Sequence, residues 1–136
     1  MISDIVQQDM FTVLHGQSAP VVTRWTYTAS DPFAVSLAVW SRNDQWVEWL
    51  VARDLVVEAI IGPAGEGDVR MRPRIVQGYD IVEIEIISDD GHAVLEVDRN
   101  LLRQFLEATF EVVASGEEAD CMDLDAEIAR ITRSCA

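Results

Sequence analysis

The stretch Pro63-Ala64-Gly65-Glu66-Gly67-Asp68-Val69-Arg70-Met71-Arg72-Pro73 joins the two halves of the predicted fold. Glycines beside a proline are typical of a tight connection, and from Asp68 onward polar and apolar side chains alternate as in a strand. A Gly-rich turn before cationic side chains is also a pattern seen in phosphate-binding loops. Those loops, however, carry a lysine and lead into a helix, whereas this chain has no lysine and its loop leads into a predicted strand. The stretch therefore predicts a turn into a half-polar strand.

Upstream of this stretch, alternation with period two predicts four strands, and a short segment that follows them is interpreted as a helix. The strands run from about Ile5 to Leu14, over Val21–Tyr27, over Phe33–Val39 and over Trp46–Leu50. Between the last two, Arg42-Asn43-Asp44-Gln45 suits a hairpin turn with a positive φ. The helix covers Arg53–Ile61 and ends at Gly62-Pro63.

Downstream, the sequence predicts three strands, over Asp68–Arg74, Tyr79–Ile87 and His92–Val97, with Asp90-Gly91 as a hairpin turn. Asp98 is a candidate cap for a helix with apolar positions at helical spacing, namely Leu102, Phe105, Leu106, Phe110 and Val113. A polar hinge at about 114–122 precedes a last helix that begins at Asp123 or Asp125, with Leu124, Ile128 and Ile131 on one stripe. The prediction is a single α+β domain over residues 1–136, with about seven strands and three helices in the order ββββα-βββα-α.

Strand pairing predicts where the arginines of the opening stretch point. Across the Asp90-Gly91 turn, the expected pairs are Ile86–Leu95 and Ile84–Val97 on the core face, and Glu85–Glu96 and Glu83–Asp98 on the outer face. Like charges directly opposite one another are destabilising. A hairpin between Arg74 and Tyr79 brings Arg70 and Arg72 alongside Glu83 and Glu85. We therefore expect these arginines to neutralise acids of their own sheet.

The charge balance excludes several functions. The net charge is −14, from 24 acids against 10 bases, and every base is an arginine. Without lysine there is no Schiff-base lysine, P-loop lysine or Ser-Lys dyad. An acidic surface repels nucleic-acid backbones. The chain has no apolar run of the roughly 20 residues that a membrane-spanning helix needs. It has no basic region near its start of the kind that begins a secretory signal, and its only cysteines are Cys121 and Cys135. The expected compartment is therefore a reducing cytoplasm.

No catalytic or metal-ligating pattern is recognisable in the sequence. His15 and His92 stand alone, the two cysteines have no C-x-x-C spacing, and Ser18 and Ser88 lie in no strand-to-helix elbow. The acid pairs Glu83/Glu85 and Asp123/Asp125 are interpreted as solvated surface, since an acidic chain supplies such pairs by chance. Most of the four tryptophans, Trp25, Trp40, Trp46 and Trp49, are interpreted as core residues, because they lack the interleaved basic residues of a nucleic-acid groove.

Several short motifs, occurring in one order, make the chain resemble the SsgA-like proteins, which are small sporulation and cell-division regulators of actinomycetes. The motifs are Asp31-Pro32-Phe33-Ala34-Val35, Trp49 through Arg53-Asp54-Leu55, Pro63 through Arg70, and Phe105-Leu106 with Thr109. The resemblance extends from about Pro20 to Thr132, and Met122–Ile128 looks most like the SsgB branch. It marks as structural or interaction residues Asp31, Pro32, Phe33, Arg53, Asp54, Gly65, Gly67, Asp68 and Arg70.

The resemblance implies a non-enzymatic regulator of sporulation-specific cell division that helps recruit or stabilise the tubulin-like protein FtsZ at septum sites. It also implies whirly-like antiparallel sheets, a homo-oligomer with a trimer as the expected form, and contacts with FtsZ and other septation proteins of the family. No cofactor, metal or direct membrane insertion is expected, and the expected location is the cytoplasm at the septum. Two alternatives stay open: a paralogue that guides peptidoglycan remodelling or spore separation, and a whirly-like single-stranded nucleic-acid binder.

Overall fold

The computed structural model describes residues 4–41, 43–65, 67–89 and 91–121. Over these residues the chain folds into an antiparallel β-sheet of seven strands with two α-helices, which confirms the predicted α+β class. The strands are β1 (Ile5–Leu14), β2 (Val21–Thr28), β3 (Ala34–Trp40), β4 (Trp46–Ala52), β5 (Val69–Val76), β6 (Tyr79–Ser88) and β7 (Gly91–Asp98). The helices are α1 (Arg53–Ile61) and α2 (Arg99–Val112), followed by a 3-10 turn over Glu118–Cys121. The predicted last helix, from Asp123 or Asp125, lies outside the described residues.

The sheet has the strand order β4-β3-β2-β1-β7-β6-β5, so that β4 and β5 form its two edges. Its two halves are antiparallel meanders that join at the end of β1, where Val13 pairs with Glu96 and Leu14 with Leu95. Residues of both halves line one apolar cavity of about 230 Å³, among them Val39 and Trp49 from one half and Ile86 from the other. The sheet therefore curves, and this cavity lies on its concave side.

The core lies between the concave face of this sheet and the helices. Alternation puts Val35 and Leu37 of β3 and Ile84 of β6 on that face, where all three are fully buried. Helix α2 packs against β1, β6 and β7 through its apolar stripe, and the ring of Phe105 lies 6.1 Å from that of Trp25. Asp98 caps α2 as predicted, since its side chain accepts a hydrogen bond of 2.9 Å from the Leu101 N–H.

The register between β6 and β7 differs from the prediction by two residues. The observed pairs include Ile84–Leu95 and Glu83–Glu96, and the last pair of the ladder is Ser88–Gly91. Gly91 therefore closes the ladder and does not occupy the centre of the turn, which makes the predicted Asp90-Gly91 turn wrong by one position. A shift of two residues leaves each side chain on its predicted face, so only the partners change.

Candidate interaction surface

Arg53 connects the first half of the chain to the end of α2. It is the first residue of α1, directly after β4, and only 1% of its surface is exposed. Its Nη1 donates hydrogen bonds to the carbonyl oxygens of Thr109 (3.3 Å) and Val113 (2.8 Å), at the C-terminal end of α2. Its Nη2 donates to Oε1 of Glu118 at 2.7 Å. A buried guanidinium is stable only when it is paired and hydrogen-bonded in this way.

Two aromatic rings enclose the same guanidinium. Its central carbon lies 4.8 Å from the ring centre of Tyr27 and 4.3 Å from that of Phe110. A cation over the face of an aromatic ring is attracted by the negative potential of that face. The cluster formed by Arg53, Tyr27, Phe110 and Glu118, here called the arginine hub, therefore joins β2, α1, α2 and the segment after α2.

The signature residues around Asp31 meet the arginine hub through their backbone. The Tyr27 hydroxyl donates to the Pro32 carbonyl at 2.9 Å, and the Arg53 N–H donates to the Phe33 carbonyl at 2.8 Å. The Asp31 N–H closes the preceding turn on the Thr28 carbonyl at 3.2 Å. Asp54 is exposed in the first turn of α1. These contacts give Pro32, Phe33 and Arg53 a structural use, and an interaction role for the set stays a prediction.

Glu118 is a structural part of the arginine hub that could not be recognised in the sequence. It falls inside the segment predicted as a polar hinge, yet it is buried. The hydrogen bond from Arg53 lowers the pKa of Glu118 below its ordinary value, with help from backbone hydrogen bonds and against the effect of burial. Arg53 and Glu118 lie 65 residues apart in the sequence. In a chain with many acids, nothing in the sequence distinguishes a buried, paired glutamate from those exposed to solvent.

The arginines of β5 form a second cluster on the convex face of the sheet. As predicted, Arg70 lies opposite Glu85 and Arg72 opposite Glu83. Arg72 binds Glu83 at 3.0 Å, Arg74 binds the other oxygen of the same carboxylate, and Arg70 approaches Glu85 at 4.0 Å. We call these five residues the arginine ladder.

Glu83 contradicts the interpretation of the acid pair as solvated surface, because only 7% of its surface is exposed. Arg72 and Arg74 cover it, and Glu96 lies opposite it on β7. Burial raises the pKa of Glu83, but the hydrogen bonds from Arg74 and Arg72 outweigh burial, so that the pKa lies below its ordinary value. The ladder thus holds a buried carboxylate in its ionised form.

The glycine-rich stretch is a turn into β5, as the sequence predicts. Gly65 has φ +90°, and a Cβ there would lie 2.4 Å from the Val69 carbonyl oxygen, so only glycine fits. Gly67 has open space around it, and the Asp68 carbonyl accepts the Ile87 N–H at 2.8 Å. The backbone of Ala64 pairs with that of Met71 on the outer side of β5. Gly65, Gly67, Asp68 and Arg70 therefore lie at or just before the start of β5.

The histidines and tryptophans divide between the core and the convex face. His15 pairs with Glu96 at 2.5 Å and His92 with Glu85 at 3.3 Å. Trp25 is fully buried and Trp49 is half-buried, which confirms the core prediction for these two. Trp40 and Trp46 are exposed, in an edge-to-face pair with ring centres 5.1 Å apart. For these two the core prediction is wrong, because they lie beside the connecting turn of the β3–β4 hairpin, on the convex face.

Over the described part of the chain, no group of three or more His, Cys, Asp or Glu side chains is arranged to hold a metal ion. In the same residues, no helix is long and apolar enough to cross a membrane.

Residues 21–118 match the protein-family profile described as Streptomyces sporulation and cell division protein, SsgA. The chain belongs to the SsgA family. It is 39% identical to the sporulation-specific cell division protein SsgB of Frankia casuarinae, over 84% of this chain and 80% of that one. It is 38% identical to SsgB of Streptomyces coelicolor, over 84% of this chain and 83% of the relative.

Solved structures of SsgA-family members have the same fold. The crystal structure of an SsgA-like sporulation-specific cell division protein from Thermobifida fusca has a TM-score of 0.82 at 35% identity, over 96% of this chain and 98% of that chain. A structure described in connection with SsgB mutations and longitudinal cell division in Streptomyces coelicolor also has a TM-score of 0.82, at 33% identity, over 86% of this chain and 94% of that chain. The family membership supports a role for this chain in sporulation and cell division.

Proposed function

We propose that this SsgA-family chain is a non-enzymatic regulator of sporulation-specific cell division, which helps recruit or stabilise FtsZ at septum sites through protein–protein contacts. The observation that carries the proposal is the identity of 39% to SsgB of Frankia casuarinae over most of both chains. The relatives are named as cell division proteins and not as enzymes, which is consistent with a binding role.

The chemistry of the described residues is compatible with this proposal. The three buried charged groups of the described residues, Arg53, Glu83 and Glu118, all have partners within the fold and serve its architecture. The surface of the described residues instead carries exposed large apolar side chains, such as Leu50, which is 63% exposed, and Phe11, which is 77% exposed. Exposed large apolar side chains on a sheet are features that protein partners use. In this proposal the chain acts in the cytoplasm at the septum, as a homo-oligomer with a trimer as the expected form, alongside other septation proteins of the family.

The test is a pull-down of purified FtsZ from the same organism on the immobilised 136-residue chain, read beside the light-scattering mass of the free chain. We expect FtsZ to be retained by the chain and not by an unrelated acidic protein of similar charge, which controls for electrostatic adsorption. Retention should survive physiological salt, which screens binding that depends on exposed ion pairs alone. A folded, oligomeric chain that retains no more FtsZ than the acidic control would overturn the proposal.

A further inference from the structure

We propose that the free edge of β4 is a docking site for an extended, basic segment of another protein, which adds to the sheet as a further strand. The inference deepens the proposed function, because it names a surface and the chemistry of a partner for a chain that acts by binding. It rests on the proposed function only for the use of that contact in cell division.

The hydrogen bonds at the two ends of the β3–β4 ladder determine which backbone groups of β4 point outward. The Arg53 N–H donates to the Phe33 carbonyl, and the Ser41 N–H donates to the Gln45 carbonyl, both at 2.8 Å and both in the register of the ladder between them. Bonded and non-bonded pairs alternate along an antiparallel ladder. The odd-numbered residues of β4 therefore bond to β3, and the even-numbered ones direct their N–H and C=O groups away from the sheet. These outward residues are Trp46, Glu48, Leu50 and Ala52.

The opposite edge of the sheet, β5, is protected against such an addition. By the same alternation its odd-numbered residues point outward, since the Ile87 N–H bonds to the Asp68 carbonyl in the β5–β6 register. Met71 already uses both of its outward groups on Ala64, at 2.9 and 2.8 Å, and Pro73 has no N–H to offer. Prolines and occupied backbone groups are the means by which natural proteins close a sheet edge. The seven residues of β4 include no proline and a single charge, Glu48, and no strand of the described residues pairs with its outer side.

The side chains along the open edge define the chemistry of its occupant. Successive even-numbered residues point to the convex face, so that Glu48 lies between Trp46 and Leu50. Trp46 is 37% exposed and Leu50 is 63% exposed. A strand paired here would place alternate side chains beside these three, and the complementary pattern is apolar, basic, apolar at every second position. The net charge of −14 attracts a basic segment over a longer range.

A second copy of the chain is a poorer occupant of this edge. Antiparallel pairing of two β4 strands through their outward groups can centre on Glu48, which sets two carboxylates directly opposite one another. If the pairing is centred on Trp49, Glu48 lies opposite Leu50 of the other copy, and if it is centred on Leu50, Glu48 lies opposite Ala52. Neither residue carries a positive charge that could pair with the carboxylate. Each copy also brings a net charge of −14. The observations therefore favour a basic segment from another protein.

The test measures binding of a fluorescent, blocked heptapeptide, Thr-Val-Thr-Arg-Thr-Val-Thr, to the full chain by anisotropy. Its alternate residues present valine, arginine and valine to one face. We expect it to bind at least about tenfold more tightly than the same peptide with glutamate in place of arginine, because the charge next to Glu48 is reversed. Substitution E48R should invert this preference.

A backbone variant separates strand addition from simple charge attraction. L50P removes an outward N–H but leaves the β3–β4 hydrogen bonds intact, and we expect it to weaken binding of the arginine peptide by about tenfold or more. I75P, at an exposed outward position of the protected β5 edge, is the matched control and should bind like the parent chain. Thermal unfolding followed by circular dichroism verifies that each variant is folded. If L50P does not fold, the inverted peptide preference of E48R still tests the proposal.

Three results would overturn the proposal. The first is a folded parent chain that does not distinguish the arginine peptide from the glutamate peptide. The second is equal loss of binding in I75P and L50P. The third is a dimer of the parent chain that L50P dissociates, which would assign the edge to a second copy. The titration contains no FtsZ, so its failure leaves the FtsZ pull-down standing, and failure of the pull-down leaves the peptide result standing.

Discussion

Arg53 shows how a single buried residue organises contacts across the chain, and its removal should have a large energetic effect. Arg53→Met removes the donor for Glu118 and for two carbonyls at the end of α2. Breaking a buried, hydrogen-bonded pair from one side costs about 3–5 kcal/mol, and we expect the free energy of unfolding to fall by about this amount. Urea denaturation followed by tryptophan fluorescence measures it.

The matched control is Arg103→Met, an exposed arginine on α2 paired with Glu107 at 3.9 Å, which should change stability by less than about 0.5 kcal/mol. Arg53→Lys should fall between the two, because lysine keeps the charge but lacks the planar fork that reaches carbonyl and carboxylate together. Equal stabilities of Arg53→Met and Arg103→Met would show that the arginine hub does not stabilise the fold.

Glu83 gives the stability of the protein a pH dependence whose sign follows from its lowered pKa. Because the folded state lowers this pKa from an ordinary value of 4.5, the folded state favours the ionised carboxylate. The stabilisation that this carboxylate gives the fold is complete at pH values above its pKa in the unfolded state. It is lost as the pH falls through its pKa in the folded state. Glu83→Gln should therefore make the melting temperature less dependent on pH below 4.5 than it is in the parent chain.

Melting temperatures measured from neutral pH down to about pH 3 test this prediction. Asp9 and Glu118 also have lowered pKa values, from hydrogen bonds to Arg24 and Arg53, so the variant should keep part of the pH dependence. Glu107→Gln, at an exposed position on α2, is the control. A Glu83→Gln variant whose pH curve runs parallel to that of the control would contradict a paired, ionised Glu83.

The connection between α1 and β5 contains three glycines, Gly62, Gly65 and Gly67, and depends most on Gly65. Gly65→Ala forces a side chain into the left-handed region at φ +90° and against the Val69 carbonyl oxygen. Strain of this kind costs about 1–3 kcal/mol, and we expect a corresponding fall in the melting temperature. Gly67→Ala meets nothing within 4 Å, so it should be nearly neutral. A neutral Gly65→Ala would mean that the turn adopts another conformation in solution.

The secondary-structure elements and their pairing show how much of the fold can be predicted from the sequence. The strands could be predicted because their side chains alternate with period two. Helix α1 is short and has no clear period, and its end could be predicted from Gly62-Pro63 after Ile61. The β6–β7 register could not, because a shift of two residues keeps the apolar face in the core and the hydrophobic pattern does not distinguish the alternatives. The link from Arg53 to Glu118 was also out of reach, since it depends on where α2 ends in space.

Across the described part of the molecule, the arginines pair within the fold. Six of the described arginines have a carboxylate oxygen within 4.0 Å: Arg24, Arg53, Arg70, Arg72, Arg74 and Arg103. Arg99 donates instead to the Ile60 carbonyl at 2.8 Å. Cations paired in this way do not form the continuous basic groove that tracks a phosphate backbone. The pairing of these arginines therefore disfavours the alternative in which the chain is a whirly-like single-stranded nucleic-acid binder.

We therefore expect no association of the chain with a fluorescent oligothymidylate in anisotropy titrations at physiological salt. The double variant E83Q/E85Q removes the acids that neutralise Arg70, Arg72 and Arg74 on the convex face. If neutralisation by neighbouring acids is the reason for the lack of binding, this variant should gain weak binding at low salt that disappears as salt is added. Binding by the parent chain, with an affinity that falls linearly with the logarithm of salt concentration, would contradict the assignment of these arginines to structure and would favour the nucleic-acid alternative.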